Sequence, residues 1–281
     1  MRFGTLDGRF VLVRGDGSQV EVLDVATASD GDLPADPIGA LAQWDEVCRW
    51  GASADWSGAA SVAVGRLGPP VPMPRQVFAV ALNYRPHAAE AGYRPPEEPL
   101  LFTKFPTCIT GPDVEVALPP GNVDWEIEVV VVIGTGGYRI PRAQGWAAVA
   151  GVTVGQDLSE RVQQLRGAPP QFSLAKSHPG FGPTGPWAVT PDALPDRDDL
   201  GFESRLDGEV LQAGRTSELI FPVDDLVARI SAVCPLLPGD LLFTGTPAGV
   251  GHRRTPPRFL QAGEVLVSSV EGIGEIRQRF V

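Results

Sequence analysis

Three carboxylates stand at every second position in V-D-W-E-I-E-V-V-V-V-I-G, Val123 to Gly134: Asp124, Glu126 and Glu128. In an extended chain such residues share a face about 7 Å apart, so they repel unless something positive sits against them. The apolar run Val129 to Ile133 that follows reads as a strand buried on both faces, which argues against a solvated edge. Buried acids without compensation protonate or bind a cation. Paired glutamates offer hard oxygen donors, suited to Mg²⁺, Mn²⁺ or Ca²⁺ better than to zinc. Asp157, at the polar end of A-A-V-A-G-V-T-V-G-Q-D, is the candidate third donor, because strand ends opening into loops present functional groups. Its competing reading is a cap for the turn or helix in L-S-E-R-V-Q-Q-L. Three protein oxygens leave about three octahedral positions for water and a chelating substrate, the signature of an open, catalytic site.

A second constellation is His87 and Glu90, three apart in P-H-A-A-E, where one helical turn brings them within hydrogen-bonding reach. A carboxylate beside an imidazole orients its tautomer and raises its basicity, as a general base requires. His178 and His252 have no partner at ligand spacing and read as structural or exposed. No G-x-S-x-G, H-E-x-x-H or Gly-rich phosphate loop occurs.

The elements that must position these groups are short strands and turns. The chain has 281 residues, 43% hydrophobic, with 33 glycines and 28 prolines, a composition that favours strands joined by loops. Residues 1–70 read as a small β-rich N-terminal domain, with R-F-V-L-V-R and Q-V-E-V-L-D-V-A-T-A meeting at Asp16-Gly17 and a helical stretch around Asp36 to Trp50. The Pro/Gly-rich G-R-L-G-P-P-V-P-M-P-R marks the boundary to a larger domain, residues 71–281. In it, Pro86 and Gly92 bracket a short helix, a hairpin turns at Asp207-Gly208, and Val223 to Cys234 form an amphipathic helix with Leu226, Val227, Ile230 and Val233 on one face.

A net charge of −11 without a Lys/Arg cluster excludes a nucleic-acid binder. The opening M-R-F-G-T-L-D-G-R-F holds no apolar signal region and Val129 to Ile133 is far too short for a membrane span, so the expectation is a soluble cytoplasmic protein. Cys48, Cys108 and Cys234 are widely spaced and fit reduced thiols.

The ordered set A-L-N-Y-R-P-H-A-A-E-A-G, L-L-F-T-K-F, V-D-W-E-I-E-V-V-V-V-I-G, G-Q-D-L-S-E-R-V-Q-Q, A-K-S-H-P-G-F-G-P-T-G-P-W and L-P-G-D-L-L-F-T-G-T-P-A-G-V-G resembles the fumarylacetoacetate hydrolase family over roughly Val77 to Gly274. The resemblance implies a mixed, mostly β fold, a β-sandwich or β-roll C-terminal domain behind a small β-rich N-terminal one, and a homodimer. It implies Mg²⁺ or Mn²⁺ on Glu126, Glu128 and Asp157, a base dyad of His87 and Glu90 on a mobile lid, and an active-site lysine at Lys176. Thr246, in T-G-T-P, is a candidate for the substrate carboxylate; Arg161 and Gln164 match substrate-contacting spacing. Lys104, in F-T-K-F, lies beside the site or on the surface. The chain differs from many relatives in reading Gln156-Asp157 for Asn-Asp and His178-Pro179 after Lys176-Ser177.

The leading expectation is a Mg²⁺-dependent hydrolase cleaving a C–C bond in an acylpyruvate-like diketo acid, with His87 and Glu90 activating water and Lys176 facing the departing enolate. Oxaloacetate-type decarboxylation or tautomerisation, or dienoate isomerisation or hydration, are alternatives on the same site. A catalytically silent binding protein of the same fold is a third. Glu126→Ala is expected to abolish turnover of the active 2-oxo acid without loss of fold, and full activity in excess chelator would refute a metal-dependent scheme.

Overall fold

The computed structural model describes residues 1–281. The N-terminal region runs β1 (Arg2–Leu6), β2 (Arg9–Arg14), β3 (Gln19–Asp24), helices α1 (Val25–Ala28), α2 (Pro37–Ala42) and α3 (Trp44–Gly51), then β4 (Ala60–Ala63) and β5 (Leu67–Gly68). Strands β2 and β3 pair as the alternating pattern predicts. Two local expectations are revised here. Val25 to Ala28 is helical rather than extended, because the Asp24 carboxylate accepts the Thr27 N–H and caps a turn. The stretch from Asp36 to Trp50 contains two helices, separated at Gln43, whose φ of −110° and ψ of 36° leave the helical path.

The remainder runs β6 (Val77–Ala81), α4 (Arg85–Glu90), β7 (Leu100–Thr103), β8 (Ile109–Thr110), β9 (Asp113–Val116), β10 (Val123–Asp124), β11 (Ile127–Ile133), β12 (Val149–Gln156) and β13 (Ser159–Glu160). After these come α5 (Arg161–Gln164), α6 (Phe172–Ala175), β14 (Gly182–Val189), β15 (Gly201–Leu206), β16 (Glu209–Arg215), α7 (Val223–Ser231), β17 (Leu241–Phe243), β18 (Val265–Val270) and β19 (Gly274–Phe280). A twelve-stranded sheet has the order β4-β3-β2-β1-β14-β12-β11-β17-β6-β7, with β5 beside β1 and β8 beside β14. A five-stranded sheet runs β16-β15-β18-β19-β9, and β10 pairs with β13 alone. The architecture is mixed and mostly β, a small N-terminal β region leading into the larger C-terminal assembly. The two regions share one sheet, since β1 pairs antiparallel with β14.

Strand β11 is buried along its whole length, and its pleat supplies two cores. Ile127, Val129, Val131 and Ile133 join a cluster that includes Leu226, Val227 and Ile230 of α7. Val130 and Val132 face the other way, into a cluster with Phe3, Phe10 and Trp44 from the N-terminal region. With apolar partners on both sides, polar alternation has no place in this run. Helix α7 stops at Ser231, short of the expected Cys234, and Val233 is 84% exposed instead of facing the core. Pro235 accounts for this, because the residue before a proline is disfavoured in the helical region. No helix is long and apolar enough to cross a membrane.

Gly155 sits opposite Glu128 in the β11–β12 ladder, where an added Cβ would lie 2.4 Å from Val130 Cγ2 and 3.1 Å from Phe243 Cε1. Gly155→Ala is therefore expected to overpack the sheet and lower stability by about 1–3 kcal/mol. An unchanged urea midpoint at unchanged slope would contradict that packing.

Candidate active site

The site forms where β11 begins and β12 ends. These strands are antiparallel neighbours with Ile127 opposite Gln156, and the Asp157 N–H donates to the Glu126 carbonyl at 2.9 Å. Sequence-distant acids thus become adjacent by strand pairing. Carboxylate oxygens of Glu126, Glu128 and Asp157 all lie within 4.8 Å of one another. Asp124 does not join them, because V-D-W-E-I-E is two strands rather than one. The chain leaves the β10–β13 ladder at Trp125 and enters β11 at Ile127, and side chains take up the backbone donors at the break. Glu126 N–H donates to Gln156 Oε1 at 2.9 Å, and Ile127 N–H to Gln212 Oε1 at 3.0 Å. The alternative reading of Asp157 as a helix cap is also settled: Glu160 caps α5, accepting from the N–H groups of Val162 and Gln163. The Asp157 carboxylate is left for the site.

The positive partners that the acidic spacing demands come from three directions. Lys176 Nζ donates to Glu126 Oε2 at 2.8 Å, Asp157 Oδ2 at 2.6 Å and Ser159 Oγ at 2.7 Å. Lys104 Nζ donates to Asp157 Oδ1 at 2.6 Å and to the carbonyls of Lys176 and Phe181. It is 0% exposed, so the surface placement considered for it does not hold. Arg161 contacts Asp124 Oδ1 through Nε at 2.5 Å, Glu126 Oε1 through Nη2 at 2.6 Å and Gln164 Oε1 through Nη1 at 2.7 Å.

Burial works against charge throughout this cluster, and the neighbours decide each outcome. Burial pushes the Glu126 carboxyl up, but Lys176 and Arg161 outweigh it and hold the group below the usual carboxylate range. Burial likewise opposes the charge of Lys176 and Arg161, and their carboxylate partners raise both. Glu128 goes the other way: burial, Asp157 and Glu126 together push it well above its ordinary value. It accepts the Gly245 N–H at 2.7 Å and has no cationic partner. Four carboxylates, Asp124, Glu126, Glu128 and Asp157, therefore face three cations, Lys104, Lys176 and Arg161. Glu128 is the acid left without an ion-pair partner, inside an all-oxygen donor set. Those residues fit a hard divalent cation.

Helix α4 brings the second constellation in. Pro86 lies in its first turn, and Gly92, at φ +80°, ends the segment. His87 Nδ1 is 3.0 Å from Glu90 Oε2, and Glu90 Oε1 accepts the Gly249 N–H at 2.9 Å. Burial tends to raise Glu90, but the bonds from His87 and Gly249 hold it below the ordinary value. Thr246 is buried with its hydroxyl donated to the Ile127 carbonyl at 2.8 Å, so that hydrogen points into the protein. His252, read as structural or exposed, is a partly buried partner of Asp124: its main-chain N–H donates to Oδ2 at 2.7 Å and its ring Nδ1 lies 3.3 Å from the same oxygen. His178 bonds Gln163 instead. Gln156 and Ser159 stand out in the sequence only as part of the motif around Asp157, and Gln212 carries no signal there, since a lone glutamine in an alternating strand looks like a solvent-facing residue.

Comparison with known proteins points to one family. The family model described as fumarylacetoacetate (FAA) hydrolase C-terminal matches residues 76–281. The chain is 42% identical over 214 residues to the human mitochondrial oxaloacetate tautomerase FAHD2A, covering 75% of this chain and 68% of the relative. A crystal structure of a Mycobacterium smegmatis protein provisionally described as HpcE superposes with a TM-score of 0.93 at 53% identity, covering 100% of this chain and 99% of the other. Maleylpyruvate hydrolase from Sphingobium sp. SYK-6, solved with manganese(II) and pyruvate, gives a TM-score of 0.80 at 26% identity, with 100% and 99% covered.

Arg161→Met would leave Asp124 and Glu126 buried without their shared cation. Losing one partner of a buried pair costs about 3–5 kcal/mol, so a large drop in the denaturation midpoint of the metal-free protein is expected. A midpoint equal to wild type would mean that solvent reaches these carboxylates.

Proposed function

The chain belongs to the fumarylacetoacetate hydrolase family, and on that premise we propose that it is a divalent-metal-dependent enzyme that enolises a small 2-oxo acid, with keto–enol tautomerisation of an oxaloacetate-like substrate as its reaction. The observation that carries this reading is the His87–Glu90 pair held by the same loop as the three-carboxylate cluster, Glu90 accepting the Gly249 N–H and Glu128 the Gly245 N–H. When bound by Glu126, Glu128 and Asp157, a divalent ion supplies Lewis-acid polarisation of the 2-oxo group, which acidifies the neighbouring C–H.

The chain's own residues do the rest. Glu90, anchored at its second oxygen by Gly249, accepts the His87 Nδ1–H and leaves the lone pair on Nε2 to take a proton from substrate carbon. The same Nε2–H then delivers that proton to the enolate oxygen, which completes keto-to-enol conversion; the reverse direction takes it from the enol oxygen and returns it to carbon. Lys176 places a fixed positive charge beside the developing enolate, and Arg161 holds Glu126 in register against Asp124. The identity to an oxaloacetate tautomerase supports proton transfer as the outcome. Hydrolysis, the leading expectation from the sequence, becomes the second reading and is favoured by the likeness to maleylpyruvate hydrolase. Both place negative charge on the enolate of a 2-oxo acid in the same site, formed by loss of a C3 proton in tautomerisation and by C–C cleavage after water attacks a distal carbonyl in hydrolysis.

The test is a panel of oxaloacetate and related 2-oxo acids, with Mg²⁺ or Mn²⁺, in deuterated and in ¹⁸O-labelled water. Solvent deuterium entering at C3 without ¹⁸O in a cleaved product is the expected result, and His87→Ala should slow the exchange about 10²–10⁴-fold. Cleavage with ¹⁸O incorporation would move the assignment to hydrolysis, and no exchange on any member would overturn it.

A further inference from the structure

Ile127 separates the two glutamates of the carboxylate cluster, and both ends of its main chain are held by side chains from remote elements. Its N–H donates to Gln212 Oε1, from β16, at 3.0 Å, and its carbonyl accepts the Thr246 hydroxyl, from the loop after β17, at 2.8 Å. Gln212 Nε2 closes the circuit by donating to Thr246 Oγ1 at 2.8 Å, and also reaches the Pro247 carbonyl at 3.0 Å. Ile127, Gln212 and Thr246 are all buried.

The chemistry of the groups fixes the direction of every bond in this ring. A backbone N–H can only donate, so Gln212 must turn its oxygen to Ile127 and its nitrogen to Thr246. The Thr246 oxygen, accepting there, has its one hydrogen free for the Ile127 carbonyl. Flipping the amide would set two donors against each other. The ring is also joined to the third side of the cluster: Gly245, the neighbour of Thr246, donates its N–H to Glu128 Oε2 at 2.7 Å. Asn83 holds the base of that loop through the Thr244 carbonyl at 2.8 Å, and the Gly245 φ of +104° lets the chain pass where a Cβ would meet Asn83 Cβ at 2.9 Å.

We propose that Gln212 and Thr246 are positioning residues for the divalent cation: their ring with Ile127 locks the main chain between Glu126 and Glu128 to the loop that orients Glu128, so they set metal affinity rather than bind the substrate carboxylate through the Thr246 hydroxyl. This rests on reading Glu126, Glu128 and Asp157 as the cation site. Groups that orient ligands from behind typically contribute about 10–100-fold to metal affinity.

The experiment is calorimetric titration of metal-stripped protein with Mn²⁺, with folding of each variant checked by circular dichroism and melting temperature. Thr246→Val, which keeps the shape and removes the hydroxyl, is expected to weaken Mn²⁺ binding about 10–100-fold, while Thr246→Ser, which keeps the hydroxyl, stays within about threefold of wild type. Gln212→Leu should weaken it similarly, and adding Thr246→Val to it should cost little more, because both break one ring. A folded Thr246→Val protein with wild-type affinity overturns the proposal, as does equal weakening by Val and Ser. Should Gln212→Leu fail to fold, the threonine pair decides alone. Wild-type protein that binds no Mn²⁺ would overturn the cation site itself, an outcome distinct from failure of the ring.

Discussion

Buried negative charge at the junction of β11 and β12 is the constraint around which the rest of the molecule is arranged. Strand pairing forces Glu126 and Asp157 together, joined through the Asp157 N–H and the Glu126 carbonyl, and places Glu128 alongside them. Like charges this close inside a protein are tolerated only with compensation. Two lysines and an arginine, drawn from the β7 exit, the segment after α6 and the start of α5, supply most of it. Glu128, left without an ion-pair partner, is where a further cation would complete the compensation. The feature most costly to the apoprotein is thus also the one that makes the site useful.

Holding such a cluster requires a rigid frame, and the two cores provide it. Strand β11 is gripped on both faces by unrelated apolar clusters, so the carboxylates at its start cannot relax by moving the strand. Where the regular ladder fails, between Asp124 and Ile127, glutamine side chains replace main-chain partners and keep buried N–H groups satisfied. The break has a function of its own: it lets Asp124 turn away to anchor Arg161 while Glu126 turns in. An uninterrupted strand would have carried all three acids to one face.

The His87–Glu90 pair stands on different footing from the carboxylate cluster. His87 and Glu90 ride on a six-residue helix that buries His87 and Ala88 and is tied to the loop after β17 through the Gly249 N–H, whereas the carboxylates sit in the sheet. That division suits a reaction in which one group must approach a bound substrate while the charge-stabilising groups stay fixed.

The amino-acid sequence by itself determined the alternation of strands and turns, the doubly buried run at Val129 to Ile133 and the oxygen-rich ligand pair. Once the ordered motifs were recognised, it also determined the family. These are legible because period, residue chemistry and motif spacing are local properties of the chain. Only the tertiary structure decided that Asp124 belongs to Arg161, that Lys104 is buried, that α7 ends before Val233, and that Gln212 and Thr246 clasp Ile127 from 85 and 119 residues away. Each of those depends on which strands lie side by side. A hydrogen bond or an ion pair between remote segments leaves no periodic trace in either segment, because its energy exists only after the sheet has brought them within 3 Å or so.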